Sequence, residues 1–394
     1  MPALLLKRMP EPKPDKIDRI VVRGTNWVGD AVMTVPALRN LRRLFPNAHI
    51  TLATRSSAKG LFTEAEFLDD LLVHESGGLR SVVHQVREWR RRNFDLAVLL
   101  PNSIETALVA SLACVPLRIG YATDGRQRLL THPLDLPEWR SSQHEVFYYL
   151  NIIASLEWLV NREQTFLNTQ PDASLEVTKP RKIAALDLLR ENGIRGITDD
   201  RPLIAICPGS INSRAKRWPA ERYAALADRF IDECGADVLL IGSAAEEEVS
   251  REVSGHMHNN PVTITGKTEL AQLVAVLSLV DLLVTNDTGP AHIAAGLGRP
   301  TLVIFGPTNP LTTRPFSPFG EIVRRPPDCA PCMLRDCPID HRCMTAIQPD
   351  EVFERARVML GRRKTSEERQ FTACRQTQPL AEFNNKLEFI EQIK

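Results

Sequence analysis

The sequence predicts an α/β protein built from two doubly wound units. Short apolar runs of strand length alternate with amphipathic helical segments from about Asp18, and the same alternation starts again at Leu203. This alternation is typical of βαβ units, which form a parallel sheet with helices on both faces. A length of 394 residues is enough for two domains of ordinary size. We therefore expect two Rossmann-like domains that face each other across a cleft.

Composition indicates a soluble globular protein. Hydrophobic residues make up 43% of the chain and charged residues 25%. The formal net charge of +1 gives no argument for binding nucleic acid, and we expect none. No apolar run reaches the ~18 residues that a membrane-spanning helix needs. At the N-terminus the charges follow a brief apolar run, which is the reverse of a secretory signal, so a cytoplasmic protein is expected.

The first unit begins with a short strand, Ile20–Val22, and a loop that runs to Asp30. The helix that follows carries apolar residues at helical spacing, and Pro36 predicts that it is kinked or restarts there. Further strands are predicted at Ile50–Ala53, Leu71–Val73 and Leu96–Leu100, and helices at Leu79–Arg92, His144–Val160 and Lys182–Asn192.

The second unit repeats the pattern. Its strands are predicted at Leu203–Cys207, Val238–Ile241, Val262–Ile264, Leu282–Val284 and Thr301–Phe305, and its helices at Pro219–Cys234, Glu246–His256 and in a segment that ends at Leu277. The expected boundaries are 1–16 for a flexible N-terminal extension, 17–195 for the first domain, 196–349 for the second and 350–394 for a helical C-terminal tail.

The most informative stretch runs from Thr285 to His292, directly after an apolar strand. Gly289 relieves the backbone where the strand turns into a helix, and Pro290 suits the first helical turn, which needs no amide hydrogen. The free amides of that turn carry partial positive charge and can bind a phosphate. Asp287 and His292 flank this position and could bind a sugar hydroxyl. The alternative is a well-capped crossover without a ligand.

Two further loops follow predicted strands. Asp30, at a helix start beside the cleft, would by default complement the helix dipole, but it could also act as a general base. The loop from Pro208 to Pro219 combines Gly209, Ser210 and Lys216 with further cations. That combination suits a diphosphate, whose developing charge a lysine can neutralise; a solvated basic loop is the alternative.

Three glutamates follow Gly242-Ser243 at the start of a predicted helix. Acidic residues one loop beyond a strand can bind ribose hydroxyls. They also complement the helix dipole, so both interpretations stay open.

A cluster of thiols lies near the end of the second unit. Four cysteines and a histidine this close could bind zinc tetrahedrally or, less readily, an iron–sulfur cluster. A reduced structural knot or a labile disulfide would give the same pattern, and the spacing matches no standard zinc site. Any metal here would be structural. The cluster consists of Cys329, Cys332, Cys337, His341 and Cys343.

The helix predicted at Leu79–Arg92 has arginines on one face and apolar residues on the other. A solvated face over a packed one is the simpler interpretation. Contact with anionic lipid head groups is the alternative, at about 1 kcal/mol per surface cation.

Four motifs in this order resemble glycosyltransferase family 9, the ADP-heptose:lipopolysaccharide heptosyltransferases. They are Asn26-Trp-Val-Gly-Asp30 with Pro36, Pro208-Gly209-Ser210 with Lys216-Arg-Trp-Pro219, Gly242-Ser243, and Asn286-Asp-Thr-Gly-Pro-Ala-His292. The resemblance runs from about Ile20 to Asp350 and is greatest to the heptosyltransferase II members. The N-terminal extension and the residues after Gly361 lie outside it.

The resemblance implies a GT-B architecture, with the acceptor on the first domain and the ADP-sugar on the second. It implies inverting transfer of L-glycero-D-manno-heptose from ADP-heptose onto the inner-core heptose of heptosyl-Kdo2-lipid A, without a cofactor or a catalytic metal. Because this lipopolysaccharide acceptor carries a lipid, it also implies peripheral contact with the inner face of the cytoplasmic membrane.

The resemblance also implies roles for individual residues. Asp30 matches the general base, Lys216 matches the residue on the donor diphosphate, and Asn26 and Trp27 lie on the acceptor side. The implied donor-binding residues are Gly209, Ser210, Lys216, Glu246, Asp287, Thr288, Gly289 and His292. For the ribose-binding acid, Glu248 aligns almost as well as Glu246.

Three alternatives remain at this point. The chain could be heptosyltransferase I or III or another family 9 sugar transferase, a non-hydrolysing nucleotide-sugar epimerase of the same fold, or a non-catalytic binding module. Fold alone does not decide among them.

Overall fold

Two six-stranded parallel sheets form the framework of the computed structural model, which describes residues 16–75, 78–194 and 201–370. In the first unit the strands are β1 (Arg19–Arg23), β2 (His49–Arg55), β3 (Asp70–His74), β4 (Leu96–Leu99), β5 (Leu117–Tyr121) and β6 (His132–Leu134). The helices of this part of the chain are α1 (Val28–Met33), α2 (Val35–Leu44), α3 (Ser56–Lys59), α4 (Gly78–Arg92), α5 (Ile104–Leu112), α6 (Glu145–Asn161) and α7 (Lys179–Glu191).

The second unit has the same construction. Its strands are β7 (Leu203–Cys207), β8 (Asp237–Leu240), β9 (Val262–Thr263), β10 (Leu282–Asn286), β11 (Thr301–Phe305) and β12 (Gly320–Arg324). Its helices are α8 (Ala220–Cys234), α9 (Glu247–His256), α10 (Leu270–Leu277), α11 (Gly289–Gly296), α12 (Pro310–Thr313), α13 (Arg342–Thr345) and α14 (Pro349–Gln370).

Each sheet reverses its direction of winding once. The strand order is β3-β2-β1-β4-β5-β6 in the first sheet and β12-β11-β10-β7-β8-β9 in the second. The reversal therefore falls between β1 and β4 and between β10 and β7. In open parallel sheets, ligands bind outside the carboxyl ends of the strands at such a point. The expected doubly wound α/β architecture is confirmed.

The central strands are buried on both faces, which explains their continuous apolar sequence. Val22 of β1 packs in one core layer and Val21 in another, and both are fully buried. The second sheet divides in the same way, with Leu283 and Val284 on opposite faces. Alternate side chains of a strand point to opposite faces, so helices on both sides require apolar residues throughout.

The two units meet at the carboxyl ends of their strands. α1, which follows β1, packs against α11, which follows β10, and α3 packs against α10. His144, at the start of α6, adds a hydrogen bond from Nε2 to the carbonyl oxygen of Arg314 in the second unit, at 2.6 Å. The loops at the two points of reversal therefore share one cleft.

Most predicted elements are confirmed, including the interruption at Pro36: α1 ends at Met33 and α2 begins at Val35. The sequence did not predict β5, β6, β12 or α5. Pro133 lies within β6, and Arg118 and Gly120 interrupt the apolar pattern of β5. β6 and β12 are edge strands whose side chains are half-buried except for Val323, so their apolar signal is weak.

The predicted domain junction at residue 196 falls in the segment 195–200, outside the described residues, as do residues 1–15 and 371–394. α7 precedes this junction in sequence but packs against α10 of the second unit. Phe353 and Met359 of α14 are buried in the core of the second sheet. We therefore propose that the crossover between units precedes α7 and that the second domain extends at least to Met359.

No helix within residues 16–75, 78–194 and 201–370 is both long and apolar enough to cross a membrane.

Candidate active site

The point of reversal in the second sheet is organised by Asn286, the last residue of β10. Its Oδ1 accepts hydrogen bonds from the backbone N–H of Trp218 and from the hydroxyl of Tyr223, both at 3.0 Å. Its Nδ2 donates to the carbonyl oxygens of Pro208 and Gly209, at 2.7 and 3.2 Å. A fully buried amide thus uses both of its ends to join the loop after β7 to the end of β10.

Lys216 and Asp287 meet beside this junction. Nζ of Lys216 donates to Oδ2 of Asp287 at 2.9 Å and to its carbonyl oxygen at 3.2 Å. The hydroxyl of Thr308 donates to the same Oδ2 at 2.7 Å. The carboxylate is buried, whereas the side chain of Lys216 is 26% exposed. The lysine ammonium is therefore held by a buried anion while part of it remains open to the cleft.

Thr288 and Gly289 form the start of α11. Thr288 takes an extended conformation before the helix, and its side chain does not cap the helix amides. Its hydroxyl instead lies 3.1 Å from that of Thr285. The N–H of Ala291 donates to the carbonyl oxygen of Thr288 at 3.1 Å. The start of this eight-residue helix carries the partial positive charge that favours an anion.

Glu246 lies against Gly209. Oε2 of Glu246 accepts hydrogen bonds from the backbone N–H and the hydroxyl of Ser243, both at 2.8 Å. A Cβ atom at position 209 would overlap Oε1 of Glu246, so any larger residue would displace the glutamate side chain. Ser210, next in the loop, is buried and its carbonyl oxygen accepts from Arg217 at 3.0 Å. Glu248, the alternative acid, is exposed on α9.

Asp30 lies on α1, on the opposite side of the cleft. Asn26 and Trp27 precede this helix, and the ring-bearing side chain of Trp27 is 53% exposed. Burial, together with the charge of Glu145, raises the pKa of Asp30 to about 6. The charge of Lys216 lowers this pKa, which places the lysine of the second unit within electrostatic reach of the carboxylate. Asp30 is thus a carboxylate that titrates near neutral pH.

Glycines allow the two helices to approach closely. A Cβ atom on Gly29 would lie 3.0 Å from Cδ2 of His292, and one on Gly289 would lie 3.0 Å from Cβ of Val28. Asp30 is therefore one residue from the contact between the units. Burial lowers the pKa of His292 to about 4, so its ring is neutral at pH 7. Its Nδ1 is buried and has no hydrogen-bond partner within the described residues.

The cysteine segment, residues 329–343, packs against the loop that carries Lys216. Nε2 of His341 lies 2.6 Å from the carbonyl oxygen of Ala215, to which it donates. The N–H of Ala215 donates to the carbonyl oxygen of Arg335 at 2.9 Å. The N–H of Met333 donates to the carbonyl of Pro307, next to Thr308. The segment therefore holds the backbone next to Lys216 and next to Thr308, the two side chains that donate to Asp287.

The four cysteines of this segment are close enough to interact. Burial, together with the nearby thiols of Cys332, Cys337 and Cys329, raises the pKa of Cys343 to about 11. However, no group of three or more ligating side chains in the described ranges is arranged to bind a metal ion. His341 uses Nε2 for Ala215. The metal site considered from the sequence therefore stays a prediction.

The cleft also contains residues that the sequence did not single out. Thr308 follows the end of β11, so the rule that selected the other loops could have found it. Glu145 and Arg140 act on Asp30 through their charges, and they lie 3.6 Å apart. They come from α6 and the turn before it, where no local motif marks them. Only the packing of α6 against α1 reveals them.

Comparison with known proteins agrees with this arrangement. The model of glycosyltransferase family 9 (heptosyltransferase) matches residues 82–342. Lipopolysaccharide heptosyltransferase 2 of Escherichia coli K12 is 30% identical over 319 residues, which is 78% of this chain and 88% of that protein.

Solved structures have the same fold. The structure of E. coli ADP-heptose lipopolysaccharide heptosyltransferase II is 27% identical, with a TM-score of 0.75 over 88% of this chain and 99% of that chain. A family 9 glycosyl transferase of Veillonella parvula is 24% identical, with a TM-score of 0.74 over 88% and 97%. The two parallel sheets thus form a GT-B fold, and the chain belongs to glycosyltransferase family 9, the heptosyltransferases.

Proposed function

We propose that this chain transfers L-glycero-D-manno-heptose from ADP-heptose onto the inner-core heptose of lipopolysaccharide. The observation that carries the proposal is the juxtaposition across one cleft of Asp30, whose pKa is raised to about 6, with Lys216 and the start of α11. A proton acceptor opposite a cation and the positively polarised start of a helix suits transfer of a sugar away from a diphosphate.

On the acceptor side, Asp30 removes the proton from the attacking hydroxyl. A base with a pKa near 6 is ionised at pH 7 and still basic enough to accept a proton as the new bond forms. Asn26 and the exposed ring of Trp27 lie at the start of the same helix and contact the acceptor sugar. Attack from this side, opposite the leaving group, inverts the anomeric centre.

On the donor side, Lys216 and the amides of α11 bind the diphosphate and stabilise the departing ADP. Thr288 and Gly289 line the phosphates. Glu246, whose Oε2 accepts two hydrogen bonds from Ser243, binds the ribose hydroxyls beside Gly209. Nδ1 of His292, which lacks a protein partner within the described residues, accepts or donates a hydrogen bond to the heptose. We propose that no metal or cofactor takes part in the reaction.

The test is release of ADP from ADP-heptose, measured with and without heptosyl-Kdo2-lipid A and in the presence of EDTA. We expect release that requires the acceptor and is unaffected by EDTA. Asp30→Asn should reduce kcat by about 10²–10⁴-fold, as expected for a general base. Asp135→Asn, an exposed acid of the same unit, is the matched control and should retain activity.

Other results would point to the alternatives. Conversion of the nucleotide sugar without an acceptor, seen by NMR, would indicate an epimerase. Calorimetric binding of ADP-heptose without turnover on any core acceptor would indicate a binding module. Turnover on a shorter core that lacks the first heptose would indicate the specificity of heptosyltransferase I.

We also propose contact with the membrane surface through α4. Leu79 and Val83 are exposed beside the exposed cations Arg80 and Arg87 on one face of this helix. Apolar and cationic side chains together suit an anionic interface. The N-terminus of α4 follows β3, so it lies at the carboxyl edge of the sheet, where the acceptor enters.

Sedimentation with vesicles tests this contact. We expect binding to vesicles that contain phosphatidylglycerol and little to pure phosphatidylcholine. Arg80→Gln should weaken binding about fivefold, since each surface cation contributes about 1 kcal/mol. Arg251→Gln, exposed on α9 of the other unit, is the control. Equal binding by both variants would contradict the assignment of α4.

A further inference from the structure

A cationic cluster lies at the carboxyl ends of three neighbouring strands of the first sheet. Arg23 ends β1, Arg55 ends β2 and His74 ends β3, and Arg55 is the ladder partner of His74. Val21 and Ala53, two residues before the arginines, pack in the core layer under α4 and α5. Because side chains alternate across a sheet, Arg23 and Arg55 lie on this same face.

The cluster is largely buried. Arg23 is 5% exposed and His74 is 6% exposed. Nη1 of Arg23 contacts both ring nitrogens of His74. Burial, together with the charges of both arginines, lowers the pKa of His74 to about 3, so the ring is neutral and does not add a charge. The cluster thus holds two guanidinium groups around a neutral imidazole.

No carboxylate in the described ranges forms a salt bridge or hydrogen bond with either arginine. Nε of Arg55 is buried without a hydrogen-bond partner, and so is the hydroxyl of Thr25, two residues beyond Arg23. Burial lowers the pKa of Arg23 to about 10, and the charge of Glu105, exposed at the start of α5, opposes this effect only in part. The positive charge of the cluster is therefore not neutralised by a bonded anion.

Such an arrangement is costly unless something supplies the anion. A buried charge that lacks a paired partner destabilises the folded state. Guanidinium groups bind phosphate and carboxylate oxygens through two parallel hydrogen bonds, which would satisfy both arginines. The cluster also begins at β1, on one side of the point where the first sheet reverses, which is where ligands of such sheets bind.

We propose that Arg23, Arg55 and His74 form a binding site for an anionic group, a phosphate or a carboxylate, of the acceptor. The assignment to the acceptor rests on the proposed function, because the acceptor binds to the first unit. In this site Arg55 and Arg23 donate to the anion, and His74 holds the Arg23 guanidinium in place. The site is separate from the donor diphosphate, which lies on the second unit.

The first experiment is calorimetric titration with inorganic phosphate of enzyme saturated with ADP, so that the donor site is already occupied. We expect one phosphate per wild-type chain and at least tenfold weaker binding by Arg55→Gln. Arg43→Gln, an exposed arginine on α2 of the same unit, is the matched control and should bind as wild type does. Arg55 is only half-buried, so this variant tests the site even if Arg23→Gln does not fold.

The second experiment measures KM for acceptors with and without their phosphate groups. A tenfold higher KM of Arg55→Gln for the phosphorylated acceptor alone identifies the group as a phosphate. An equal rise with both acceptors identifies a carboxylate. Unchanged phosphate binding and unchanged KM in Arg55→Gln would overturn the proposal, and phosphate binding with unchanged KM would overturn its assignment to the acceptor. Arg55-dependent phosphate binding by an enzyme that transfers no heptose would instead refute the proposed function.

Discussion

Replacing Asp30 by asparagine is expected to change activity and stability in opposite directions. Burial and the charge of Glu145 raise the pKa of Asp30 from 3.8 to about 6. Each unit of pKa corresponds to about 1.4 kcal/mol, so ionising this carboxylate in the folded state costs up to about 3 kcal/mol. Because the side chain is partly exposed to solvent, we expect about 1–2 kcal/mol.

The sign follows from linkage. An acid whose pKa is higher in the folded than in the unfolded state contributes stability that is fully present below pH 4 and is lost as the pH rises through 6. Asparagine cannot ionise and avoids this loss. Asp30→Asn should therefore be more stable than wild type at pH 8 by about 1–2 kcal/mol, with little of this advantage at pH 4. Its activity should fall at every pH.

Urea denaturation of both proteins at pH 4 and pH 8 measures the free energy of unfolding, and ADP release measures activity. The wild-type kcat/KM should also rise with pH through about 6, as the free enzyme's base ionises. A stability difference that is independent of pH, or a rate profile without this rise, would refute the assignment of a raised pKa to Asp30.

Three further substitutions test the donor side. Gly209→Ala places a Cβ atom on Glu246, so KM for ADP-heptose should rise about tenfold, or ~1.4 kcal/mol, with little change in KM for the acceptor. Lys216→Met should reduce kcat about 10²–10³-fold and destabilise the fold by about 1–3 kcal/mol, because the buried Asp287 loses its cation. His341→Ala should lower kcat about two- to tenfold, because one hydrogen bond that positions the Lys216 loop is lost.

Matched variants separate these effects from general damage. Gly255→Ala, in α9 with open space around it, should leave KM for ADP-heptose unchanged. His341→Gln keeps an N–H donor at a similar distance and should restore most of the rate lost in His341→Ala. Equal donor KM values for the two glycine variants, or equal rates for the two His341 variants, would contradict the respective assignments. For Lys216→Met, calorimetric titration with ADP measures donor-site binding, and urea denaturation measures the free energy of unfolding.

Sequence reasoning predicted an element correctly where one continuous segment contains the whole pattern. The buried strands are continuous apolar runs, and the loops after β1, β7 and β10 contain glycines and polar residues that stand out against them. The loop after β10 is an example, because Asn286 to Gly289 is polar between two apolar segments. Loops at the carboxyl ends of central parallel strands line the cleft, so the polar residues of these three loops could be predicted without a structure.

Sequence reasoning missed the residues whose role depends on packing between segments that are distant in the chain. Glu145 begins a largely buried, apolar helix, and its effect on Asp30 appears only because α6 packs on α1. Likewise, the sequence marked His341 only as a candidate ligand beside the thiols and did not reveal its hydrogen bond to the backbone beside Lys216. Spacing along the chain indicates which side chains could bind a metal, but it does not indicate in which direction their lone pairs and N–H groups point.

The close approach of α1 and α11 at Gly29 and Gly289 has an energetic consequence for catalysis. Gly29 faces the ring of His292 and Gly289 faces the side chain of Val28, so α1 and α11 are in close contact and a shift of one unit directly alters the surroundings of ligands on the other. Thermodynamic coupling is reciprocal: if bound ADP-heptose tightens the acceptor's binding by some factor, the acceptor must tighten ADP-heptose binding equally. Alanine at either position would separate the helices and weaken this cooperativity in both directions.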